Sequence, residues 1–184
     1  MKPDNLKPFI KGSSVDLRPL SLADVEGTYV DWFNDAEICQ FNSHHTYPYN
    51  RELAAKYVSD AQKQKNMLVL AIVTKDGKHI GNVSLQEIDY ISRNAEYAII
   101  IGDKDYWGRG IGEESSRLLF THGFKALNLH RVYCGTSAFN VPMQKLAILL
   151  GMKEEGRRRE TLYKNGEYVD IIEYGLLKKD FSVL

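Results

Sequence analysis

At 184 residues, with 24 Lys+Arg against 24 Asp+Glu, the chain carries a formal net charge of zero. No overall field therefore draws it to nucleic acid or to an anionic membrane, and any anion must be caught locally. Hydrophobic residues at 43% and charged residues at 26% are ordinary globular usage, which excludes a disordered or collagen-like chain.

No apolar run is long enough to span a bilayer, and the start Met1-Lys2-Pro3-Asp4-Asn5 lacks the apolar core of a signal peptide, so a cytoplasmic location is expected. Cys39 and Cys134 are far apart with no Cys-x-x-Cys spacing. They read as two buried thiols, with no disulfide and no metal framework.

In chain order, Val15 to Leu20 reads as a first strand, and Ser21-Leu22-Ala23-Asp24 has the spacing of a capping box that opens a helix through Trp32-Phe33. Asn34-Asp35 interrupts that pattern, and Phe41 to Tyr49 is an aromatic, polar loop. A second helix is predicted from Arg51 to Gln64 by Leu53, Tyr57 and Ala61. Met67 to Val73 is a buried strand, turned by Asp76-Gly77 into a strand from His79 to Gln86, and Ala95 to Ile101 is the next. A helix from Ile111 to Ala126, a strand from Arg131 to Thr136 and a helix from Pro142 to Leu150, ended by Gly151, follow. The chain closes on a hairpin pairing Arg159–Tyr163 with Tyr168–Leu177. That order predicts a mixed α+β fold rather than a doubly wound one.

The segment Tyr106-Trp107-Gly108-Arg109-Gly110-Ile111-Gly112 sits after an apolar strand and before an amphipathic helix. Glycines there let backbone N–H groups converge without Cβ obstruction, the helix N-terminus adds partial positive charge, and Arg109 adds a cation. Together they suit a pyrophosphate, although a tight turn has the same composition. A Walker loop is excluded because no Gly-Lys-Ser/Thr occurs, and a dinucleotide fingerprint because Glu113 stands where its third glycine belongs.

The segment resembles the acyl-CoA motif of GNAT acetyltransferases, Gln/Arg-x-x-Gly-x-Gly/Ala, with Trp107 at the Gln/Arg position and Gly110 and Gly112 in register. Its Tyr-Trp-Gly-Arg-Gly opening is similar to the RimJ/RimL-like branch. So are Ala95 to Gly102, Leu129-His130-Arg131-Val132 followed by Asn140 and Gly151, and the closing Tyr-Lys-Asn-Gly-Glu-Tyr-Val-Asp hairpin. The likeness runs from about Val15 to Leu177, which implies one N-acetyltransferase domain over residues 1–184. The implied fold is a mostly antiparallel sheet of about six or seven strands flanked by about four helices.

By this resemblance acetyl-CoA is the co-substrate and no metal is needed. Backbone groups around Ile99 and Ile101 hold the pantetheine arm, backbone N–H groups from Arg109 to Gly112 hold the pyrophosphate, and Trp107, Gly108, Arg109, Gly110, Ile111 and Gly112 together form the cofactor-binding turn. Asn140 bonds the pantetheine or adenosine side, and a wedge between the strands at Ala95–Ile101 and Arg131–Thr136 admits the thioester. Met143 and Ala147 stand where the family often carries serine and the tyrosine acid, so neither usual general acid is present.

Acetylation needs an unprotonated amine. An alkyl amine of pKa near 10.4 costs about 4 kcal/mol to deprotonate at neutral pH, and an α-amino group near 8 costs under about 1 kcal/mol. Glu96 is the leading candidate base, with an outward carboxylate on an exposed strand face as the plain alternative. His44 and His45 are weaker candidates in the loop over the acceptor side, and Trp32, Phe41, Tyr47 and Tyr49 are candidate pocket walls, with Trp32 and Phe33 also read as core. Cys134 reads as inert core, and Arg157-Arg158-Arg159 as a solvated face or an anion contact.

The expected reaction is direct acetyl transfer to a small primary amine such as an amino sugar or its nucleotide-linked form. The alternatives are a protein N-terminus, a polyamine or aminoglycoside, and a non-catalytic acyl-CoA sensor. A small-molecule acceptor is the expected partner, nucleic acid and membrane are not, and a homodimer is compatible with the branch.

Overall fold

The computed structural model describes residues 7–182. The start Met1 to Asn5 lies outside the described residues. One sheet of eight strands forms the body, in the order β1-β2-β3-β4-β5-β6-β8-β7. The strands are β1 (Ile10–Lys11), β2 (Val15–Pro19), β3 (Leu68–Thr74), β4 (His79–Asp89), β5 (Asn94–Ile101), β6 (Arg131–Ser137), β7 (Lys153–Lys164) and β8 (Glu167–Leu177). Among the described residues five α-helices accompany them: α1 (Leu22–Val25), α2 (Tyr29–Asn34), α3 (Arg51–Lys63), α4 (Ile111–Lys125) and α5 (Val141–Leu149). All pairings are antiparallel except β5 with β6.

The sheet has two more strands than the lower expectation because two edges carry little apolar signal. β1 is only two residues long. β7 begins at Lys153 rather than Arg159, and its run Lys-Glu-Glu-Gly-Arg-Arg-Arg-Glu is exposed throughout. As an edge strand it buries neither face, and its register shifts at Glu154/Gly156 and Arg158/Leu162 bend it. Two of its arginines are tied down, Arg157 to Asp170 at 3.2 Å and Arg158 to Glu173 at 2.5 Å.

The helix predicted through Trp32-Phe33 is two short ones. The capping box forms, with the Asp24 carboxylate accepting from the Ser21 N–H at 2.8 Å, but α1 stops at Val25. Gly27, a weak helix former, follows, and Thr28 caps α2. Arg18 makes a two-point pair with Asp24 (2.8 and 2.6 Å), and His79 Nδ1 lies 3.2 Å from the same carboxylate. Burial alone would raise the Asp24 pKa; Arg18, His79 and the Ser21 amide outweigh it and hold the carboxyl well below its ordinary range.

Two cores flank the sheet. On one side Leu70, Ile72, Val83, Leu85, Ala95, Tyr97, Val132 and Cys134 meet Leu119, Phe120 and Phe124 of α4. On the other, Val69, Ala71 and Val73 of β3 meet Tyr29, Trp32 and Phe33 of α2 and Ala54 and Val58 of α3. The strands alternate between these faces, so each residue of β4 and β5 belongs to one or the other. Cys39 and Cys134 are free and buried, and burial pushes the Cys134 thiol up to about 12. Among the described residues no helix is long and apolar enough to cross a membrane.

Candidate active site

β5 and β6 pair over only three residues: Asn94 with Arg131, Ala95 with Val132 and Glu96 with Tyr133. Beyond that they part. On its other edge β5 stays bonded to β4, and the Gly102 N–H donates to the Ile80 carbonyl at 2.9 Å. Antiparallel alternation then commits the backbone of Ile100, Ala98 and Glu96 to β4 and turns the peptide groups of Ile99 and Ile101 toward the opening. The Ile101 carbonyl is already used: it accepts the Trp107 indole N–H at 2.8 Å. Trp107 thus braces the rim of the wedge.

Above the wedge stands the start of α4. Gly110 is its N-cap, with φ of 77°, and Gly108 has φ of 71°. Only glycine takes such angles freely, and a Cβ at either position would meet nothing within 4 Å. The first-turn amides of Ile111, Gly112 and Glu113 have no partner within the helix, so they form an open anion cradle. Two acidic side chains at this N-terminus point elsewhere. Glu113 pairs with Arg117 at 2.8 Å, and Glu114 accepts from the N–H groups of Ser13 and Ser14 at 2.5 and 2.9 Å. Arg109 is exposed and lies 5.6 Å from the Tyr106 ring centroid.

Asn140 caps α5. Its Oδ1 accepts from the Met143 N–H at 3.2 Å and its Nδ2 donates to Thr136 at 3.0 Å, which leaves one N–H. Ala147, fully buried, and Met143, packed against the core, offer no acid.

On the face opposite α4, β4 and β5 floor a cavity of about 430 Å³. Its floor is Asn82, Ser84, Gln86, Ala98 and Ile100, and its walls include Tyr29, Phe33, Tyr49, Tyr57, Asn42 and His44. Ala98 is exposed in mid-strand because no helix covers it. Of the candidate walls, Tyr49 lines the cavity. Trp32, Phe41 and Tyr47 are not among its lining. Trp32 is 4% exposed and packs so close to Gly102 that any side chain there would overlap its indole, while Tyr47 is 83% exposed.

His44 lines the cavity, its ring 4.8 Å from Phe33, and loss of water around it and the Lys164 ammonium lower its pKa. His45 is exposed, with φ of 63°, outside the lining. Lys164, at the tip of the β7–β8 hairpin, donates to the His44 carbonyl at 2.6 Å and ties that tip to the loop.

Glu96 stands opposite Gln86, a floor residue, so its side chain shares the cavity face at the mouth of the wedge. It is part-buried, and desolvation first, then the charges of Glu87 and Glu173, raise its pKa; Arg158 pulls the other way. A carboxylate with a raised pKa is a better proton acceptor.

Asn82, Ser84 and Gln86 were not singled out from sequence, though their signal is there: the alternation Ile80-Gly81-Asn82-Val83-Ser84-Leu85-Gln86. Polar residues at alternate positions of a strand usually face solvent, whereas Asn82 and Ser84 are 7% and 5% exposed. Among the described residues no cluster of metal-ligating side chains occurs.

Residues 14–153 match the family model for the acetyltransferase (GNAT) domain. Over 107 residues the chain is 35% identical to YdaF of Bacillus subtilis, named provisionally as a ribosomal N-acetyltransferase; that alignment spans 58% of each chain. It is 31% identical over 160 residues to the spermidine N(1)-acetyltransferase of Escherichia coli K12, covering 86% of this chain and 83% of the relative. The structure of RimL, a ribosomal L7/L12 alpha-N-protein acetyltransferase, in complex with coenzyme A superposes with a TM-score of 0.83 at 21% identity, covering 91% of this chain and 97% of that one. The chain belongs to the GNAT acetyltransferase family and is an acetyl-CoA-dependent N-acetyltransferase.

Proposed function

We propose that the protein acetylates the primary amine of a small, hydroxyl-bearing acceptor of the amino-sugar class, bound in the cavity over Ala98. The observation that carries this reading is the cavity's lining. Phe33, Tyr49 and Tyr57 offer ring surface against which the C–H face of a sugar packs, and Asn42, Asn82, Ser84 and Gln86 offer neutral hydrogen-bonding groups. No carboxylate is among the lining residues, which suits a polar, weakly charged body better than a chain of ammonium groups.

The cradle fits the diphosphate of acetyl-CoA: left-handed glycines, space where Cβ atoms would stand, and unpaired first-turn amides. Gly108, Arg109, Gly110, Ile111 and Gly112 would hold it. The peptide groups of Ile99 and the free N–H of Ile101 would hold the amide-bearing arm, and Asn140 keeps one N–H for the same ligand. Acetyl-CoA, when bound, supplies the acetyl group as an activated thioester. Glu96 takes the proton that the acceptor's ammonium must lose, directly or through a water. The demand on it is modest for a weakly basic amino sugar and larger, by about 3 kcal/mol, for an alkyl amine.

Polyamine acetylation is the second reading. It is favoured by the spermidine acetyltransferase relative and by the three carboxylates Glu87, Glu96 and Glu173 at the wedge mouth. The likeness to RimL and the Tyr-Trp-Gly-Arg-Gly opening support the RimJ/RimL-like branch without choosing the acceptor.

The test is release of CoA thiol from acetyl-CoA with glucosamine, a nucleotide-linked amino sugar, spermidine and a short peptide with a free N-terminus in separate reactions. Highest kcat/KM on an amino sugar is the expected result. A preference for spermidine or the peptide overturns the acceptor assignment, and so does CoA binding without turnover on any of them.

A further inference from the structure

The cavity floor contains one side chain whose orientation is dictated from behind. Asn82 is 7% exposed and faces the cavity from β4. Behind it, His79 Nε2 lies 2.8 Å from Asn82 Oδ1 and 2.9 Å from the Gly81 carbonyl oxygen. The Gly81 carbonyl only accepts, and with the hydrogen on Nε2 that this contact calls for, the Asn82 atom facing the ring is the oxygen rather than the NH2 group. Against that Nε2–H, a flipped amide would set two donors facing each other.

The imidazole is itself fixed. Its Nδ1 is 3.2 Å from Asp24, which Arg18 grips at two points, and its ring sits 4.8 Å from the Trp32 indole. With Oδ1 turned to His79, Asn82 Nδ2 has no hydrogen-bond partner among the described residues. None of their fully buried side-chain nitrogens or oxygens lacks a partner, so this NH2 group reaches the open space of the cavity.

We infer that Asn82 is a specificity-determining residue: its Nδ2–H donates to an oxygen of the bound acceptor, and Arg18, Asp24 and His79 are the positioning residues that hold it there. This rests on the cavity being the acceptor site. Asn82 stands opposite Ile100, two residues along β5 from Ala98, or about 7 Å. The oxygen it reads is therefore on the side of the acceptor away from the amine over Ala98 and Glu96. An acceptor with no oxygen there leaves a nearly buried donor unpaired and is disfavoured.

The probes are glucosamine and cyclohexylamine, a ring of the same size without oxygens. Each is measured by thiol release, or as a competitive inhibitor where it does not turn over. Asn82→Asp keeps the size and the oxygen that accepts from His79 but removes the donor; Asn82→Ala is the second variant, without the added charge. Both should lower kcat/KM for glucosamine about tenfold, the worth of one hydrogen bond, and leave cyclohexylamine and the KM for acetyl-CoA within about twofold. Equal losses on both amines, or no loss on glucosamine, overturn the role of Asn82 while the amino-sugar reading stands. A wild-type protein that neither acetylates nor binds glucosamine overturns that reading, and the inference with it.

Discussion

The two faces of β4 and β5 are made by the same backbone and do opposite work. Toward α4, Val83, Leu85, Ala95 and Tyr97 are sealed under Leu119 and Phe120, each fully buried or nearly so. Away from α4, the residues between them are Asn82, Ser84, Gln86, Glu96 and Ala98, and the helices α2 and α3 cover β3 but stop short of the strands beside the wedge. One face is closed and carries stability; the other is roofed only by side chains and loop, and leaves room for an acceptor. Alternation along a strand can therefore separate what holds the protein together from what it binds, within one element.

The separation can be broken most forcefully from the closed face. Phe120→Ala removes a ring that packs edge-on to Tyr97 at 4.8 Å and touches Phe124 and Phe181. It should cost about 3–5 kcal/mol of unfolding free energy, read by denaturant titration, while acceptor KM in the folded protein stays put. A changed KM with intact stability would deny the division of labour.

On the open face Glu96→Gln should lower kcat/KM about a hundredfold between the pKa of Glu96 and that of the amine, with little change in stability. The deficit should shrink as pH approaches the amine's own pKa, where free amine no longer needs a base. Wild-type activity should fall on the acid side through a pKa above the ordinary carboxylate range, since desolvation and then Glu87 and Glu173 raise that of Glu96. That acid limb should vanish in Glu96→Gln; a limb that persists assigns the base elsewhere.

The smallest effect concerns the neighbours. Glu87→Gln takes a like charge away and should move the acid limb to lower pH, whereas Arg158→Gln takes an attracting charge away and should move it higher. Shifts of one sign in both variants would show that the limb does not belong to Glu96.

Much of this frame is legible in the chain itself. The apolar runs at Met67–Val73 and Ala95–Ile101, the Asp76-Gly77 turn, and the glycines before α4 each act locally, so their pattern is enough to place β3, β5 and the cradle. The charged run of β7 and the two residues of β1 were not legible as strands, because edge pairing needs backbone groups rather than a buried face. Gly27 splits α1 from α2 by one weak position inside a pattern whose apolar spacing continues past it.

The cavity was least legible. Trp32, Phe33, Tyr47 and Tyr49 look alike as aromatics; the seating of α2 sends Trp32 to the core and Phe33 to the wall, and the path of the 41–49 loop sends Tyr47 to solvent and Tyr49 to the wall. Likewise nothing in the local sequence marks Asn82 and Ser84 as a cavity floor, because Tyr29 and Tyr57, which share the lining, are remote in the chain.

The most direct measurement fills the open face where it is emptiest. Ala98 is exposed in mid-strand, on the cavity floor beside the wedge, so Ala98→Trp places a large ring in the acceptor space without overpacking either core. Calorimetric titration with CoA and acceptor kinetics with glucosamine should show CoA affinity within about twofold of wild type and acceptor kcat/KM lowered at least about tenfold. Undiminished acceptor kinetics in the Ala98→Trp protein would contradict the assignment of this face to the acceptor.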